Sequence, residues 1–301
     1  MPDAYPSLPY EPWKDTKTTL HLMTQIVGKV RLGISPRMNH WWHVPFYVSP
    51  RGLTTSTIPH RGESFEMEFD FIDHVLAVRG SRGVTRRVPL RGTSVAGFYE
   101  GTAAALVDVN VFPKMLARPF DPAKTGSDIP FAEDTLHTAY DAEAVERFRL
   151  ALVGIERVFR EFRGRFIGKC SPVHFFWHSF DLAVTRFSGR AAPVSADADP
   201  VTREAYSHEV ISAGFWPGDD ASLPEAAFYA YAAPEPAGLA GEPLRPPEAR
   251  WDTSGTGAMA LYLYEDFRTA PDPDAALLEF LQSTYDGAAR LAGWPGELLA
   301  K

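Results

Sequence analysis

A short pattern occurs twice in this chain, each time after a segment whose apolar residues recur at helical spacing. Both copies have an aliphatic residue and glycine, then serine and proline, then a histidine followed by two aromatic residues. They are Leu32-Gly33, Ser35-Pro36 and His40-Trp41-Trp42, and Ile167-Gly168, Ser171-Pro172 and His174-Phe175-Phe176. Small gaps align the copies. The pattern predicts an internal duplication, and the alternative is two unrelated junctions between a helix and a sheet.

The segments around each copy have the same order of predicted elements. The first half has a predicted helix from Thr16, followed by β segments at 40–48 and 52–58 and an alternating strand in 64–72. It ends with a helix at 94–109 and a short strand near 109–116. The second half begins with a helix capped by Asp141 and ends with a helix that has Asp272 as N-cap. Its predicted strands are 173–178, 180–187, 206–213, 226–232 and 258–264.

This order predicts an α+β fold of two tandem helix–antiparallel-sheet–helix repeats packed as one unit. The predicted fold is similar to TATA-binding-protein-like and helix-grip architectures, and this analogy implies no function. The predicted boundaries are an N-terminal arm at 1–15, a first repeat at 16–116, a proline-containing linker at 117–140 and a second repeat at 141–301.

The charge balance argues against a nucleic-acid partner and against an anionic membrane surface. The chain has 30 Lys+Arg and 38 Asp+Glu, which gives a net charge of −8. No stretch approaches the roughly 18 apolar residues of a membrane span, and the first residues lack the pattern of a signal peptide. The chain has a single cysteine, Cys170, which excludes an intramolecular disulfide. We interpret Cys170 as a buried thiol. We expect a soluble, cytoplasmic protein without a membrane or nucleic-acid partner.

Three long segments carry a resemblance to a known family. They are NHWWHVPFYVSPRGLTTS (39–56), RFIGKCSPVHFFWHSFDLAVTRFSGR (165–190) and YSHEVISAGFWPG (206–218). Together they resemble a bacterial family known only as a domain of unknown function, of the DUF5996 type. The resemblance runs from about Leu20 to the C-terminal helix. It implies one family over nearly the whole chain and a bacterial, cytoplasmic setting, and it implies no reaction.

Histidines within these segments are the candidate ligands for a metal. Imidazole binds Zn, Fe, Cu or Ni, so converging histidines suffice for one divalent ion such as Zn or Fe. The predicted metal set is His40, His43, His174 and His208. No compact metal motif supports it, and histidines packed among aromatic residues and bonded locally are the alternative interpretation.

The same histidines could act without a metal, as general acid and base. The predicted catalytic set is His174, His208 and Glu209, with Asp181 and Tyr206 as further partners for an imidazole. Aromatic side chains with a few polar groups are typical of small-molecule pockets. The predicted substrate-binding residues are Trp42, Phe176, Arg186 and Trp216.

Two functions remain open from the sequence. The first is an enzyme acting on a small molecule in a His/Trp-lined pocket between the repeats, with or without one divalent metal. The second is a non-catalytic small-molecule-binding or scaffold protein that uses the same aromatic cleft. We favour the enzyme because titratable groups among aromatic residues are costly unless they are used or satisfied. The oligomeric state, the substrate and the reaction cannot be predicted from the sequence.

Overall fold

The computed structural model describes residues 5–193 and 197–299. Within these residues the chain forms α-helices and two antiparallel sheets of six strands each, which confirms the predicted α+β class. The helices are α1 (Tyr10–Ile34), α2 (Val95–Asp108), α3 (Pro122–Thr125), α4 (Ala142–Gly164), α5 (Pro200–Ala205), α6 (Tyr264–Arg268) and α7 (Pro273–Leu291).

The first sheet has the order β1-β2-β4-β5-β6, and β3 pairs with β4. Its strands are β1 (Tyr47–Ser49), β2 (Gly52–Thr54), β3 (Ile58–His60), β4 (Glu63–Asp70), β5 (Val75–Gly80) and β6 (Thr85–Pro89). On β4 the apolar side chains alternate with acidic ones, as predicted. Glu68 and Asp70 are nevertheless buried, because Ser49 Oγ donates to Glu68 (2.8 Å) and Arg51 Nε donates to Asp70 (2.5 Å).

The second sheet has the order β11-β12-β10-β9-β8-β7. Its strands are β7 (His174–Phe176), β8 (Asp181–Ala191), β9 (His208–Trp216), β10 (Ala227–Ala233), β11 (Arg250–Asp252) and β12 (Met259–Leu263). Strands β7, β8, β9 and β10 are neighbours in chain order, so side chains from distant parts of the sequence come to lie in rows across the sheet.

The two faces of the second sheet differ in chemistry. Opposite residues of an antiparallel pair share a face, and successive residues alternate. Phe215, Phe228 and Tyr262 lie in one row, and the Phe228 ring contacts Phe159 of α4 and Phe267 of α6. This is the helix face. The other face, which we call the polar face, carries His174, Phe176, Asp181, Thr185, Phe187, His208, Ser212, Trp216, Tyr229 and Tyr231.

One isolated antiparallel bridge joins the edges of the two sheets. The Phe46 N–H donates to the Phe175 carbonyl, and the Phe175 N–H donates to the Phe46 carbonyl, each with an N···O distance of 2.8 Å. Both phenylalanines are completely buried. This bridge places Tyr47 opposite His174, so the polar face continues from one sheet to the other.

Helix α4 packs against both sheets. The Asp141 carboxylate accepts from the backbone N–H groups of Glu143 and Ala144, which confirms the predicted N-cap. The buried stripe of α4 has apolar residues alternately three and four positions apart, namely Val145, Phe148, Leu152, Ile155, Phe159 and Phe162. Phe148 contacts Phe175 beside the bridge between the sheets. Residues of both sheets therefore belong to one apolar core.

The predicted tandem repeat is not confirmed. His174 is the first residue of β7, whereas His40 lies in a 3₁₀ turn (Asn39–Trp41) well before β1 begins at Tyr47. The turn forms because His40 (φ 54°) and Trp41 (φ 60°) adopt left-handed backbone conformations, which break a strand. The first helix begins at Tyr10, within the segment predicted as an arm, and residues 109–116 form no strand although all of them are described.

Candidate functional site

A row with two small residues between a histidine and a tyrosine crosses the centre of the polar face. His174, Ala183, Gly214 and Tyr229 lie side by side on β7, β8, β9 and β10. A Cβ atom at Gly214 would lie only 2.3 Å from the Tyr229 hydroxyl. The glycine is therefore required, because the phenol ring lies directly across it and reaches toward β8.

Tyr229 and Asp181 form a short hydrogen-bonded pair. The Tyr229 hydroxyl donates to Asp181 Oδ2 at 2.5 Å, and the Ser179 hydroxyl donates to Oδ1. Burial, followed by the negative charge of Asp181, raises the pKa of Tyr229 well above its ordinary value. The phenol therefore stays protonated at neutral pH and directs its proton to the carboxylate.

A second hydroxyl pair continues this polar surface. Tyr231 stacks on Tyr229 with ring centroids 6.2 Å apart, and its hydroxyl lies 3.0 Å from that of Tyr206. In the same row, the hydroxyls of Thr185 and Ser212 lie 2.8 Å apart. The polar face thus presents several hydroxyl groups next to one carboxylate.

His174 is buried among aromatic rings and has no hydrogen-bond partner at either ring nitrogen in the described part of the chain. Its ring centroid lies 5.2 Å from Phe176, 6.1 Å from Trp42 and 6.2 Å from Tyr47, on which it stacks. Burial, and to a lesser degree the charge of Arg31, lowers the pKa of His174 to about 3. The imidazole is neutral and retains an unused donor and an unused acceptor.

The 3₁₀ turn brings Trp42 over His174 and holds it there through His40. The ammonium of Lys169 lies 2.7 Å from His40 Nε2, and the Glu204 carbonyl lies 3.1 Å from Nδ1. Because an ammonium can only donate, Nε2 accepts and Nδ1–H donates to Glu204. Burial and the charge of Lys169 lower the pKa of His40. Lys169 also lies over the rings of Trp42 and Phe187.

The structure brings together only part of the predicted metal set. His40 and His208 are neighbours, with ring centroids 5.5 Å apart. Trp42 lies between this pair and His174, while His43 stacks on Trp41 and accepts from the Met38 N–H. Among the described residues, no group of three or more His, Cys, Asp or Glu side chains is arranged to hold a metal ion.

Three other predicted site residues are separated from the His208 ring, either along β9 or by the sheet itself. Trp216 is on the polar face, but it ends β9 whereas His208 begins it, which separates them by about 26 Å at about 3.3 Å per residue. Glu209 and Arg186 lie on the helix face, where Glu209 accepts from Ser188 and Arg190.

The guanidinium of Arg186 is completely buried in an aromatic cage. Its central carbon lies 3.5 Å from the Phe162 ring centroid, 5.0 Å from that of Phe166 and 4.4 Å from that of Tyr285. It donates to the Phe162 carbonyl, and burial lowers its pKa to about 10. The cage faces α4 and α7, so Arg186 cannot contact a molecule bound beside His174.

Glu209 lines a groove that has a volume of about 170 Å³ at the end of α7. Ile211, Pro234, Glu235 and Trp294 line the same groove. Arg190 pairs with Glu209, and Glu235 Oε2 accepts from the Ala258 N–H, so both carboxylates of the groove already have partners. It does not adjoin the unpartnered imidazole.

Sequence reasoning missed Tyr229 and Tyr231, which complete the polar face. Their signal is the alternation in the segment AFYAYAA (227–233), where large aromatic residues with a hydroxyl face one side and alanines mostly face the other. Gly214 inside a predicted strand is the second signal, because an interior glycine indicates a close approach. Neither signal reveals which distant carboxylate the phenol reaches.

Comparison with known families assigns the chain without assigning a reaction. Residues 5–301 match a family of unknown function, DUF5996, and the protein belongs to that family. Neither a curated protein nor a solved structure matches the chain significantly. In the described part of the chain, no helix is both long enough and apolar enough to cross a membrane.

Proposed function

We propose that the protein binds a small uncharged molecule on the polar face of the second sheet, against His174. The observation that carries this proposal is the buried imidazole without a hydrogen-bond partner at either nitrogen. Leaving a buried polar group unsatisfied costs about 1–3 kcal/mol. A bound molecule that accepts from one nitrogen and donates to the other recovers this cost.

The surroundings of His174 define the chemistry of the ligand. Trp42 and Phe176 offer flat apolar surfaces, which suit a planar ring. The hydroxyls of Thr185 and Ser212 lie two residues further along the same face and can bond to polar substituents. A planar heterocycle or a hydroxylated aromatic compound fits this combination.

Access to His174 requires movement of Trp42. The two ring nitrogens of His174 are closed to solvent, and the Trp42 ring is next to them. Trp42 follows two residues in the left-handed region, a conformation that costs about 1–3 kcal/mol for a non-glycine residue. The turn is therefore a strained segment that binding of a ligand can displace.

Enzymatic activity is a second candidate function, favoured by the short bond between Tyr229 and Asp181. A ligand that takes the phenol as its own partner would free the carboxylate to accept a proton. An efficient general base has a pKa near the working pH. The pKa of His174 is about 3 and that of Tyr229 is raised, so these groups suit hydrogen bonding better than proton transfer.

The test is binding of a defined panel of uncharged heterocycles and hydroxylated aromatic compounds, measured by calorimetry on the wild type and on His174→Phe. Phenylalanine keeps the ring and removes both nitrogens. We expect compounds that bind the wild type to bind the variant at least about tenfold more weakly. A tenfold loss of affinity corresponds to the free energy of about one hydrogen bond.

His60→Phe is the matched control. His60 also has a buried nitrogen without a partner, but it lies on β3 of the first sheet. The control should bind the panel as the wild type does. Retention of all binding by His174→Phe, or absence of any binding to the wild type, would contradict the proposal.

A further inference from the structure

Lys17 is a buried lysine on the second turn of α1. Its exposed fraction is 4%. Lysine is almost never buried to this degree unless it is paired with an acid. The polar face described above does not use this residue, so a separate explanation is needed for its burial.

The Lys17 ammonium has no conventional partner among the described residues. It makes no ion pair within 4.0 Å, and its contact is with the face of the Tyr10 ring, 5.6 Å from the centroid. Nζ is not among the buried polar atoms that are closed to solvent. The amine is therefore largely, but not completely, shielded from solvent.

The charged groups around Lys17 are acidic. Burial lowers the pKa of Lys17 to about 8, and the carboxylates of Asp219 and Asp220 partly oppose this shift. One turn further along the helix, burial keeps His21 neutral, with a pKa of about 3. His21 Nε2 already lies 3.3 Å from the His178 carbonyl and from the Gln25 amide.

We propose that Lys17 Nζ is a nucleophile that forms an imine with a small aldehyde or ketone. The amine nitrogen bonds to the carbonyl carbon, and the carbonyl oxygen leaves as water. Starting from the ammonium, two protons leave with that water and the third remains on the iminium nitrogen, so no oxidant or reductant is needed. Desolvated lysines are the usual amines for this chemistry.

The surroundings favour an imine over the other common adduct of a neutral lysine, a carbamate formed with carbon dioxide. A carbamate is an anion, and the Asp219 and Asp220 carboxylates would repel it. A protonated imine keeps the positive charge that these carboxylates attract. The Tyr10 ring face stabilises the same cation.

The test is reductive alkylation of the full-length wild-type protein with propionaldehyde and cyanoborohydride at neutral pH, followed by peptide mapping. At pH 7 about one tenth of Lys17 is unprotonated, against less than about one thousandth of an ordinary lysine. We expect Lys17 to be alkylated at least about tenfold faster than Lys14, its exposed neighbour that pairs with Glu11.

Lys29 is the second internal comparison. It is buried on the same helix, and desolvation lowers its pKa without acidic neighbours. We expect Lys17 to react faster than Lys29 as well, because only Lys17 has carboxylates and a ring to stabilise the iminium. Equal rates at Lys17 and Lys14, or at Lys17 and Lys29, would overturn the proposal. Alkylation of Lys17 does not involve His174, so its outcome is independent of the proposed ligand site.

Discussion

The His174 ring is buried between Trp42, Phe176 and Tyr47, and its two nitrogens face no donor or acceptor in the described chain. Replacing the imidazole by a phenyl ring keeps the ring packing and removes the unsatisfied polar atoms. We therefore expect His174→Phe to unfold with an unchanged free energy, or one raised by about 1 kcal/mol, in urea at neutral pH.

The alternative interpretation of His174 predicts the opposite sign. If the imidazole were bonded locally as a structural group, its replacement would lower the free energy of unfolding by about 1–3 kcal/mol. His21→Phe is a useful comparison, because His21 does have partners. That variant should be destabilised. Equal destabilisation of both variants would remove the basis for a ligand site at His174.

The pKa of His174 makes stability depend on pH in the acid range. The folded pKa is about 3 and the ordinary value is 6.5, so the unfolded chain binds a proton between these values while the folded chain does not. Stability is therefore complete above about pH 6.5 and falls as the pH falls toward 3. His21 contributes in the same direction.

Urea unfolding at neutral pH and at about pH 5 measures this dependence. Each such histidine contributes up to about 1.4 kcal/mol per pH unit. We expect His174→Phe to lack the contribution of one histidine to this fall, so its free energy of unfolding should decrease less than that of the wild type between neutral pH and about pH 5. Trp216→Phe, on the same face and without a titrating group, should keep the wild-type slope. An unchanged slope in His174→Phe would show that the ring is already charged or exposed.

At the scale of elements, helix α1 packs on the β7–β8 hairpin through a glycine. A Cβ atom at Gly28 would lie 2.2 Å from the Trp177 ring, and the Trp177 indole N–H donates to the Val44 carbonyl at 2.9 Å. This bond fixes the indole, so the ring cannot easily move away. The glycine is needed for close packing despite its low helix propensity.

We expect Gly28→Ala to lower the free energy of unfolding by about 1–3 kcal/mol, because overpacking exceeds the gain of up to about 1 kcal/mol in helix propensity. Gly164 in α4 is the matched control, since nothing lies within 4 Å of a Cβ atom built there. Gly164→Ala should be neutral or stabilising. A stabilising Gly28→Ala, measured by urea unfolding, would contradict the close contact with Trp177.

Secondary-structure elements were most predictable where residues close in sequence determine their ends. The caps of α4 and α7 follow from Asp141 and Asp272, whose carboxylates accept from the first backbone N–H groups of each helix. The segment 40–48 was less predictable. Its aromatic residues favour a strand, but His40 is bonded to Lys169 and Glu204, which are distant in sequence, and these contacts hold a turn instead.

The candidate site was only partly predictable for the same reason. His174 and Phe176 share a strand, so alternation places both on one face. The sequence predicts Glu209 as a catalytic residue and Arg186 as a substrate-binding residue, but the registers of β8 and β9 turn both to the helix face. The pairing of Asp181 with Tyr229 depends on strand order across the sheet, which the sequence does not encode locally.

At the scale of the whole molecule, the contacts that join the two sheets lie in the centre of the core. Phe46 and Phe175 exchange two backbone hydrogen bonds and are completely buried, and Phe148 of α4 packs on Phe175. Because α4 contacts both sheets, unfolding one sheet exposes apolar surface of the other. The chain should therefore unfold as one cooperative unit.

Differential scanning calorimetry should show one transition, with a calorimetric enthalpy equal to the van't Hoff enthalpy. Phe175→Ala removes the ring at the bridge and should lower the stability of the whole chain by about 3–5 kcal/mol while keeping a single transition. Val107→Ala, an exposed position on α2, serves as the control with little effect. Two resolved transitions, or a folded half released by limited proteolysis near Gly126, would show that the sheets are independent and that the bridge between Phe46 and Phe175 contributes little.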